Sequence, residues 1–302
     1  MPKQPKHHFV PWSYLRYFAT DSNASRKNSV IHMWDKEASI ERIEKTDKVK
    51  CYVRGQNTVE ELVDPEKYEK LYADSDAALG EIVRLLLQTT RQAPLGSSFN
   101  PKNKDVLAQH IMLLLKRQPT VLSDTLTKID NIIDKADATL RLEYKDVLPT
   151  SVLDRVLASR SAKQYAIELS MTLNGSGFEA LRNKVWVYCR NETGVPFITS
   201  DFPLCPQFIP SYSGGGMADP GCLLFFPVAP DVLIYMVDPI HYTPEEKEYF
   251  DNAIEPICNQ DFVLIANYAQ YSMCTRQIYS NKLLSPAIYT HPDVIENGIQ
   301  TV

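Results

Sequence analysis

Two segments far apart in the chain carry the side chains with the greatest potential for chemistry. Residues 6–18, KHHFVPWSYLRYF, contain two adjacent histidines and an arginine, and residues 197–203, FITSDFP, contain Asp201 at the end of an apolar run. A histidine together with carboxylates suits Mg²⁺ or Mn²⁺, because both ions prefer oxygen ligands and Mn²⁺ accepts an imidazole. Such an ion activates water and stabilises charge on a phosphate group. These residue types therefore point to metal-dependent hydrolysis of a phosphodiester.

The expected metal ligands are His8, Asp201 and one carboxylate of the acidic helical segment, either Glu61 or Asp74. Successive side chains of a strand point to opposite faces, so only one of His7 and His8 can enter the site. We choose His8 because it lies next to the first helix.

Two arginines are candidates for binding the phosphate in bidentate fashion, namely Arg16 in the first helix and Arg117 at the end of the apolar helix 104–118. Each candidate also has a structural alternative. Arg117 would pair with a carboxylate of the acidic segment, Asp201 would cap its own backbone in a turn before Pro203, and the acidic run would be a solvated helix face.

Three regions differ in hydrophobic pattern and together predict an α+β fold. Residues 1–58 predict an N-terminal strand, helix and hairpin, residues 59–175 a helical middle, and residues 176–302 a mostly β C-terminal third. We expect one composite domain over residues 1–302, in which both motifs meet at a single site.

Local signals place individual elements at both ends of the chain. Pro11 favours an extended residue before it and suits the first turn of a helix, so Lys6–Val10 predicts a strand and the helix begins at Pro11. Near the other end, residues 244–258 predict a helix, and the apolar run FVLIA at residues 262–266 predicts a strand.

Composition limits the class of protein. The 302 residues are 44% hydrophobic, which is enough for a core, and their net charge is −5. This balance argues against a protein that coats DNA but does not exclude a nuclease, and a nucleic-acid partner would have to be met by a local patch. The six cysteines lack zinc-site spacing and are expected to be buried free thiols in a reducing cytoplasm. Since no apolar run reaches about 18 residues, we expect no membrane anchor.

The pattern HHFVPxxYLRxF at residues 7–18, together with FITSDFP, resembles the bacterial family DUF4238, a domain of unknown function, over most of the chain. The resemblance implies a shared fold and a shared site at the two motifs, and it also favours His8. Trp12 stands where family members usually carry Gln or a similar polar residue, and Phe202 stands where they usually carry Asn. If that Asn positions a ligand in relatives, this chain lacks it. Relatives are expected to carry a glutamate near the position of Asp74.

The leading functional hypothesis is therefore a metal-dependent nuclease that acts in bacterial defence or as a toxin. The sequence contains no G-x-S-x-G, H-E-x-x-H, Walker or dinucleotide-binding motif that would favour another catalytic class. The alternative is a module without enzymatic activity that binds a protein, a nucleic acid or a second copy of the chain. In that case, the two motifs lock the ends of the fold together.

Overall fold

The chain has an α+β fold with three β-sheets and eight α-helices in the part described by the computed structural model. The described residues are 4–49, 51–60, 62–94, 96–144, 162–171, 176–209 and 215–283. The α+β prediction is confirmed, and the C-terminal region is mostly sheet, as expected. The prediction of one composite domain stays a prediction.

The N-terminal motif forms a short strand and a short helix. Strand β1, Lys6–His8, pairs antiparallel with β4, Tyr52–Arg54. Helix α1, Trp12–Leu15, follows the extended backbone of Pro11 and continues as a 3₁₀ turn. The strand ends two residues earlier than predicted, although the Phe9 N–H still donates to the Cys51 carbonyl at 3.0 Å in the same register.

A four-stranded sheet joins the N-terminal hairpin to the second motif. The hairpin consists of β2, Val30–Asp35, and β3, Ile40–Lys45. Strand β6, Thr199–Ser200, comes from the second motif, and the strand order is β3-β2-β11-β6, where β11 is Gln277–Ser280. The sheet therefore positions the residues that follow β6, including Asp201.

The helical middle packs against the C-terminal sheet. Its helices are α2 Lys67–Gln92, α3 Pro101–Lys116, α4 Pro119–Tyr144, α5 Ala162–Met171 and α6 Ser176–Asn183. Asn100 begins α3 by accepting a hydrogen bond from the Lys102 N–H at 3.0 Å, and the proline at N1 suits this start. One buried stripe of α2, including Leu79, Val83 and Leu86, lies in the main hydrophobic core.

The C-terminal five-stranded sheet is covered on both faces. Its strands are β5 Val185–Asn191, β7 Cys205–Phe208, β8 Cys222–Ala229, β9 Val232–Val237 and β10 Ile254–Ile257. Trp186 and Tyr188 belong to the same core as α2 and α3, whereas Val185 and Val187 pack in a second core with the last helix. This two-sided burial explains why these strands are almost entirely apolar.

Two sequence-based assignments near the C terminus are wrong. The run at residues 262–266 lies in helix α8, Gln260–Met273, because Asn259 caps its N-terminus and Phe262, Ile265, Ala266 and Ala269 form a helical stripe. The preceding helix, α7, spans only Pro244–Phe250, and the chain then forms β10 beside β5. A short apolar run does not distinguish a strand from a buried helix.

The described cysteines are all free thiols, as predicted. The expected burial is correct for five of them, and wrong for Cys258, which is exposed. In the described part of the chain, no helix combines the length and apolar character that crossing a membrane requires.

Tyr14 links the first motif to both larger sheets. Its hydroxyl donates to the Pro227 carbonyl at 2.6 Å and lies 2.7 Å from the hydroxyl of Thr199 in β6. Its ring stacks on Phe226 at a centroid distance of 5.4 Å. Burial raises the pKa of the Tyr14 hydroxyl far above its ordinary value, so the group remains a neutral donor.

Replacing Tyr14 by Phe should lower the free energy of unfolding by about 1–3 kcal/mol, because the buried Pro227 carbonyl loses its donor. Urea denaturation followed by circular dichroism measures this change. The exposed Tyr249 provides a matched control, Tyr249→Phe, which should change stability by less than about 0.5 kcal/mol. Equal stability of the two variants would contradict the structural role of Tyr14.

Candidate functional site

The two motifs meet at a pocket of about 180 Å³. Its lining residues come from the first motif, the start of α4, the second motif and the segment that leads into the first residue of β11: Phe9, Pro119, Thr120, Asp201, Thr275, Arg276 and Gln277. These four segments are far apart in the sequence and meet only in the folded chain. The pocket is therefore a property of the tertiary structure.

Asp201 holds the segment before β11 in place. Its carboxylate accepts hydrogen bonds from the backbone N–H groups of Thr275, Arg276 and Gln277, at 2.8, 2.7 and 2.9 Å. Burial raises the pKa of Asp201, and these three hydrogen bonds act in the opposite direction. A local turn of the kind considered for Asp201 is formed by its neighbour Ser200. The Ser200 hydroxyl accepts a hydrogen bond from the Phe202 N–H at 3.1 Å. Asp201 thus caps backbone that is distant in sequence.

His7 and His8 face opposite sides of β1, as the strand pattern predicts, and His7 points inward. His7 is 1% exposed. Its Nδ1 accepts from the Asn57 N–H at 2.8 Å, which leaves the ring proton on Nε2 to donate to Glu66 at 2.8 Å. Both ring nitrogens of His7 are therefore occupied by protein groups.

His8 is half-buried on the outer side of β1. Its Nε2 lies 3.3 Å from a guanidinium nitrogen of Arg26, and its ring meets the edge of Tyr52 at 5.6 Å. Burial, followed by the charges of Arg26, Lys6 and Arg117, lowers the pKa of His8 to about 4. His8 is therefore neutral at physiological pH, and its Nε2 acts as a hydrogen-bond acceptor.

A network of carboxylates that the sequence analysis did not select lies beneath β1. Glu66 binds His7, Glu69 accepts from the Asn57 side chain at 2.8 Å, and Asp76 forms an ion pair with Arg117 at 2.7 Å. Burial raises the pKa of Glu69 and of Asp76, while the charge of Arg117 opposes both increases. The spacing of these carboxylates, three and then seven residues apart, places them on one helical face and was the available signal.

Most of the predicted site residues lie in separate parts of the structure and have different partners. Arg117 is almost fully buried, pairs with Asp76 and donates to the Phe9 carbonyl at 3.1 Å, which is the structural alternative considered above. Arg16 donates to the Ser22 carbonyl at 3.2 and 3.0 Å.

Among the described residues, the predicted metal ligands do not form a common group. Asp74 is exposed on α2, whereas Glu61 lies outside the described residues. Among the residues that the structure describes, no three His, Cys, Asp or Glu side chains are arranged to hold a metal ion. The set of His8, Asp201, Glu61 and Asp74 therefore stays a prediction.

A cationic and aromatic surface covers the outer side of the β1–β4 ribbon. It consists of Lys6, His8, Arg26, Tyr52 and Arg54, and we refer to it as the β1/β4 surface. Lys6 pairs with Arg54 and His8 with Tyr52 in the antiparallel register, so these four side chains share one face. The Lys6 ammonium lies 4.2 Å and the Arg54 guanidinium carbon 6.0 Å from the centre of the Tyr52 ring. The surface thus combines positive charge with an aromatic ring.

Replacing Asp201 by Ala should lower the free energy of unfolding by at least about 3 kcal/mol, because three backbone N–H groups lose their acceptor. Urea denaturation measures this loss. As a control, Asp74→Ala removes an exposed carboxylate and should have an effect within about 0.5 kcal/mol. An Asp201→Ala protein as stable as the wild type would disprove the capping role.

The pH dependence of stability should report the environment of His8. The unfolded chain binds a proton at His8 below its ordinary pKa of 6.5, whereas the folded chain does so only below about 4. The contribution of His8 to stability is therefore present above pH 6.5 and is lost as the pH falls towards 4. In urea denaturation across this interval, His8→Asn should show a weaker dependence on pH than the wild type. An NMR titration of the His8 ring with a midpoint near 6.5 would rule out this interpretation.

Comparisons with known proteins place the chain in a family. Residues 6–283 match the family described as "Protein of unknown function (DUF4238)", and the match includes both motifs. The comparison with curated proteins and the comparison with solved structures each found no match. Since the matched segment covers most of the 302 residues and agrees with the resemblance seen in the motifs, the chain belongs to the DUF4238 family.

Proposed function

We propose that this protein binds single-stranded nucleic acid through the β1/β4 surface. The observation that carries the proposal is that Lys6 and Arg54 both lie close to the Tyr52 ring, with the ring of His8 at its edge. An aromatic ring stacks with any base, and neighbouring cations neutralise phosphate groups. A base that stacks on Tyr52 would release Lys6 to contact the adjacent phosphate.

The charge distribution supports a local interaction. The whole chain has a net charge of −5, but Lys6, Arg26 and Arg54 are all exposed on the β1/β4 surface. The neutral His8 adds an acceptor at Nε2 and no charge. Binding should therefore involve few phosphates and depend moderately on salt.

The polar side chains of the candidate site bind other groups of the protein, which favours a binding function over hydrolysis. The Asp201 carboxylate is engaged by three backbone N–H groups, and both nitrogens of His7 and the guanidinium of Arg117 bind protein groups. This arrangement supports the alternative in which the motifs are structural. Metal-dependent hydrolysis with Mg²⁺ or Mn²⁺, with a role in bacterial defence or toxicity, remains a separate hypothesis that needs an assay of its own.

Fluorescence anisotropy with a labelled single-stranded oligonucleotide tests the binding proposal. Tyr52→Ala should weaken binding by about tenfold, because it removes a stacking ring, whereas Tyr52→Phe should bind almost as the wild type does. With three exposed cations, the logarithm of affinity should fall with the logarithm of salt concentration with a slope of about −2. Lys6→Ala should reduce the magnitude of that slope by about 0.7.

The control for charge is Lys102→Ala, which removes an exposed cation at the start of α3 and should leave both affinity and slope unchanged. Circular dichroism verifies that each variant is folded. Absence of binding at low salt, or equal affinities of wild type, Tyr52→Ala and Lys6→Ala, would refute the proposal.

A cleavage assay on the same protein separates binding from hydrolysis. Total RNA and plasmid DNA are incubated with Mg²⁺, with Mn²⁺ and with EDTA, using wild type and His8→Ala. If the proposal is correct, the nucleic acid remains intact under all three conditions. Metal-dependent cleavage that His8→Ala abolishes would instead support the nuclease hypothesis.

A further inference from the structure

The pocket between the two motifs has the size and lining of a site for one small planar group. Its volume of about 180 Å³ is below the range of about 300–1,000 Å³ that is typical of sites for drug-sized ligands. Phe9 and Pro119 supply apolar surface, and Asp201 and Gln277 supply polar groups. A mostly apolar pocket with a few convergent polar groups is the usual form of a small-molecule site.

Gln277 is a buried polar side chain with an unused donor. It is 3% exposed, and its Oε1 accepts a hydrogen bond from the Tyr279 hydroxyl at 2.6 Å. Among the described residues, none accepts a hydrogen bond from its Nε2. A buried amide is normally hydrogen-bonded, so an unused donor in a pocket wall indicates a group that a ligand or water satisfies.

Asp201 supplies an acceptor beside this donor. Its carboxylate has about four lone-pair positions, of which three are used by the backbone N–H groups of residues 275–277. The Asp201 N–H donates to the Gln277 carbonyl at 2.9 Å, so the two residues are neighbours across the β6–β11 ladder. Asp201 and Gln277 thus both line this pocket, and Gln277 also lines a second cavity beside Met33, Asp35 and Arg42.

The backbone at residues 8 and 9 connects the pocket to the β1/β4 surface. Phe9 directly follows His8, and its carbonyl is held by Arg117 at 3.1 Å. A strand whose phosphates lie on the β1/β4 surface could therefore place a neighbouring base beside the Phe9 ring. This continuity distinguishes a base from other planar ligands of similar size.

We propose that the pocket lined by Phe9, Asp201 and Gln277 binds a single nucleobase through its hydrogen-bonding edge. The amide of Gln277 donates to an acceptor of the base, the carboxylate of Asp201 accepts from an adjacent N–H, and Phe9 contacts the ring. Every base presents a donor beside an acceptor, so this contact anchors a base without selecting one. The inference rests on the proposed binding of nucleic acid, and it names the group that the pocket takes.

Free nucleosides test the pocket separately from the β1/β4 surface, because they carry no phosphate. Uridine, cytidine, adenosine and guanosine are titrated into the full chain, and binding is followed by NMR shifts of assigned amides at residues 275–277. We expect uridine to bind, and N3-methyluridine, which lacks the ring N–H, to bind about tenfold more weakly. The control Lys102→Ala should bind uridine as the wild type does.

A variant at the rim provides a second test that avoids the buried residues. Thr120 is exposed at the mouth of the pocket, so Thr120→Trp should fold and fill the entrance. It should reduce uridine binding by at least tenfold, whereas Thr120→Ser, the matched control, should not. Gln277→Met, with its fold verified by circular dichroism, should weaken uridine binding about as much as N3-methylation of the nucleoside does.

The outcomes separate this inference from the proposed function. If no nucleoside binds, or if uridine and N3-methyluridine bind equally, the base pocket is wrong, even when oligonucleotides bind and depend on Tyr52. If uridine binds as expected but oligonucleotides do not depend on Tyr52 or Lys6, the pocket stands and the β1/β4 surface is wrong as the site for the strand.

Discussion

The interaction on which the rest of this structure depends is the buried Asp201 carboxylate with the three backbone N–H groups of residues 275–277. A carboxylate removed from water needs several charge-assisted hydrogen bonds to remain buried, and the turn supplies them. The same contact sets the register of β6 against β11, which in turn pairs with β2 of the N-terminal hairpin. One side chain of the second motif therefore connects both ends of the fold and forms one wall of the pocket.

Adjacent residues on opposite faces of the N-terminal strand β1 lie in two different electrostatic environments. On its inner side, the buried His7 binds Glu66, and the buried Arg117 forms an ion pair with Asp76. On its outer side, burial and then the charges of Arg26 and Lys6 lower the pKa of His8 to about 4. The network positions the ribbon, and Arg117 binds the Phe9 carbonyl, so the buried charges also determine where the pocket lies.

Local patterns predicted the parts of the fold that depend on short-range physics. Pro11 placed the start of the first helix, the alternation of β1 separated His7 from His8, and the change of period after residue 175 indicated the C-terminal sheet. The same reasoning failed at residues 262–266, because five apolar residues suit a strand and a helix equally well until the Asn259 cap and the packing partners are known. It did not single out Glu66, Glu69 and Asp76, the carboxylates of this segment that bind His7, Asn57 and Arg117.

The sequence by itself determined the family, the α+β class, and the presence of two polar motifs, since each of these follows from residue types and their spacing along the chain. Only the tertiary structure decided which partners those motifs have. Asp201 meets backbone N–H groups more than seventy residues away, and Arg117 meets Asp76 and Phe9. The energy of a buried charge depends on its surroundings in three dimensions, and a one-dimensional pattern contains no information on which groups those are.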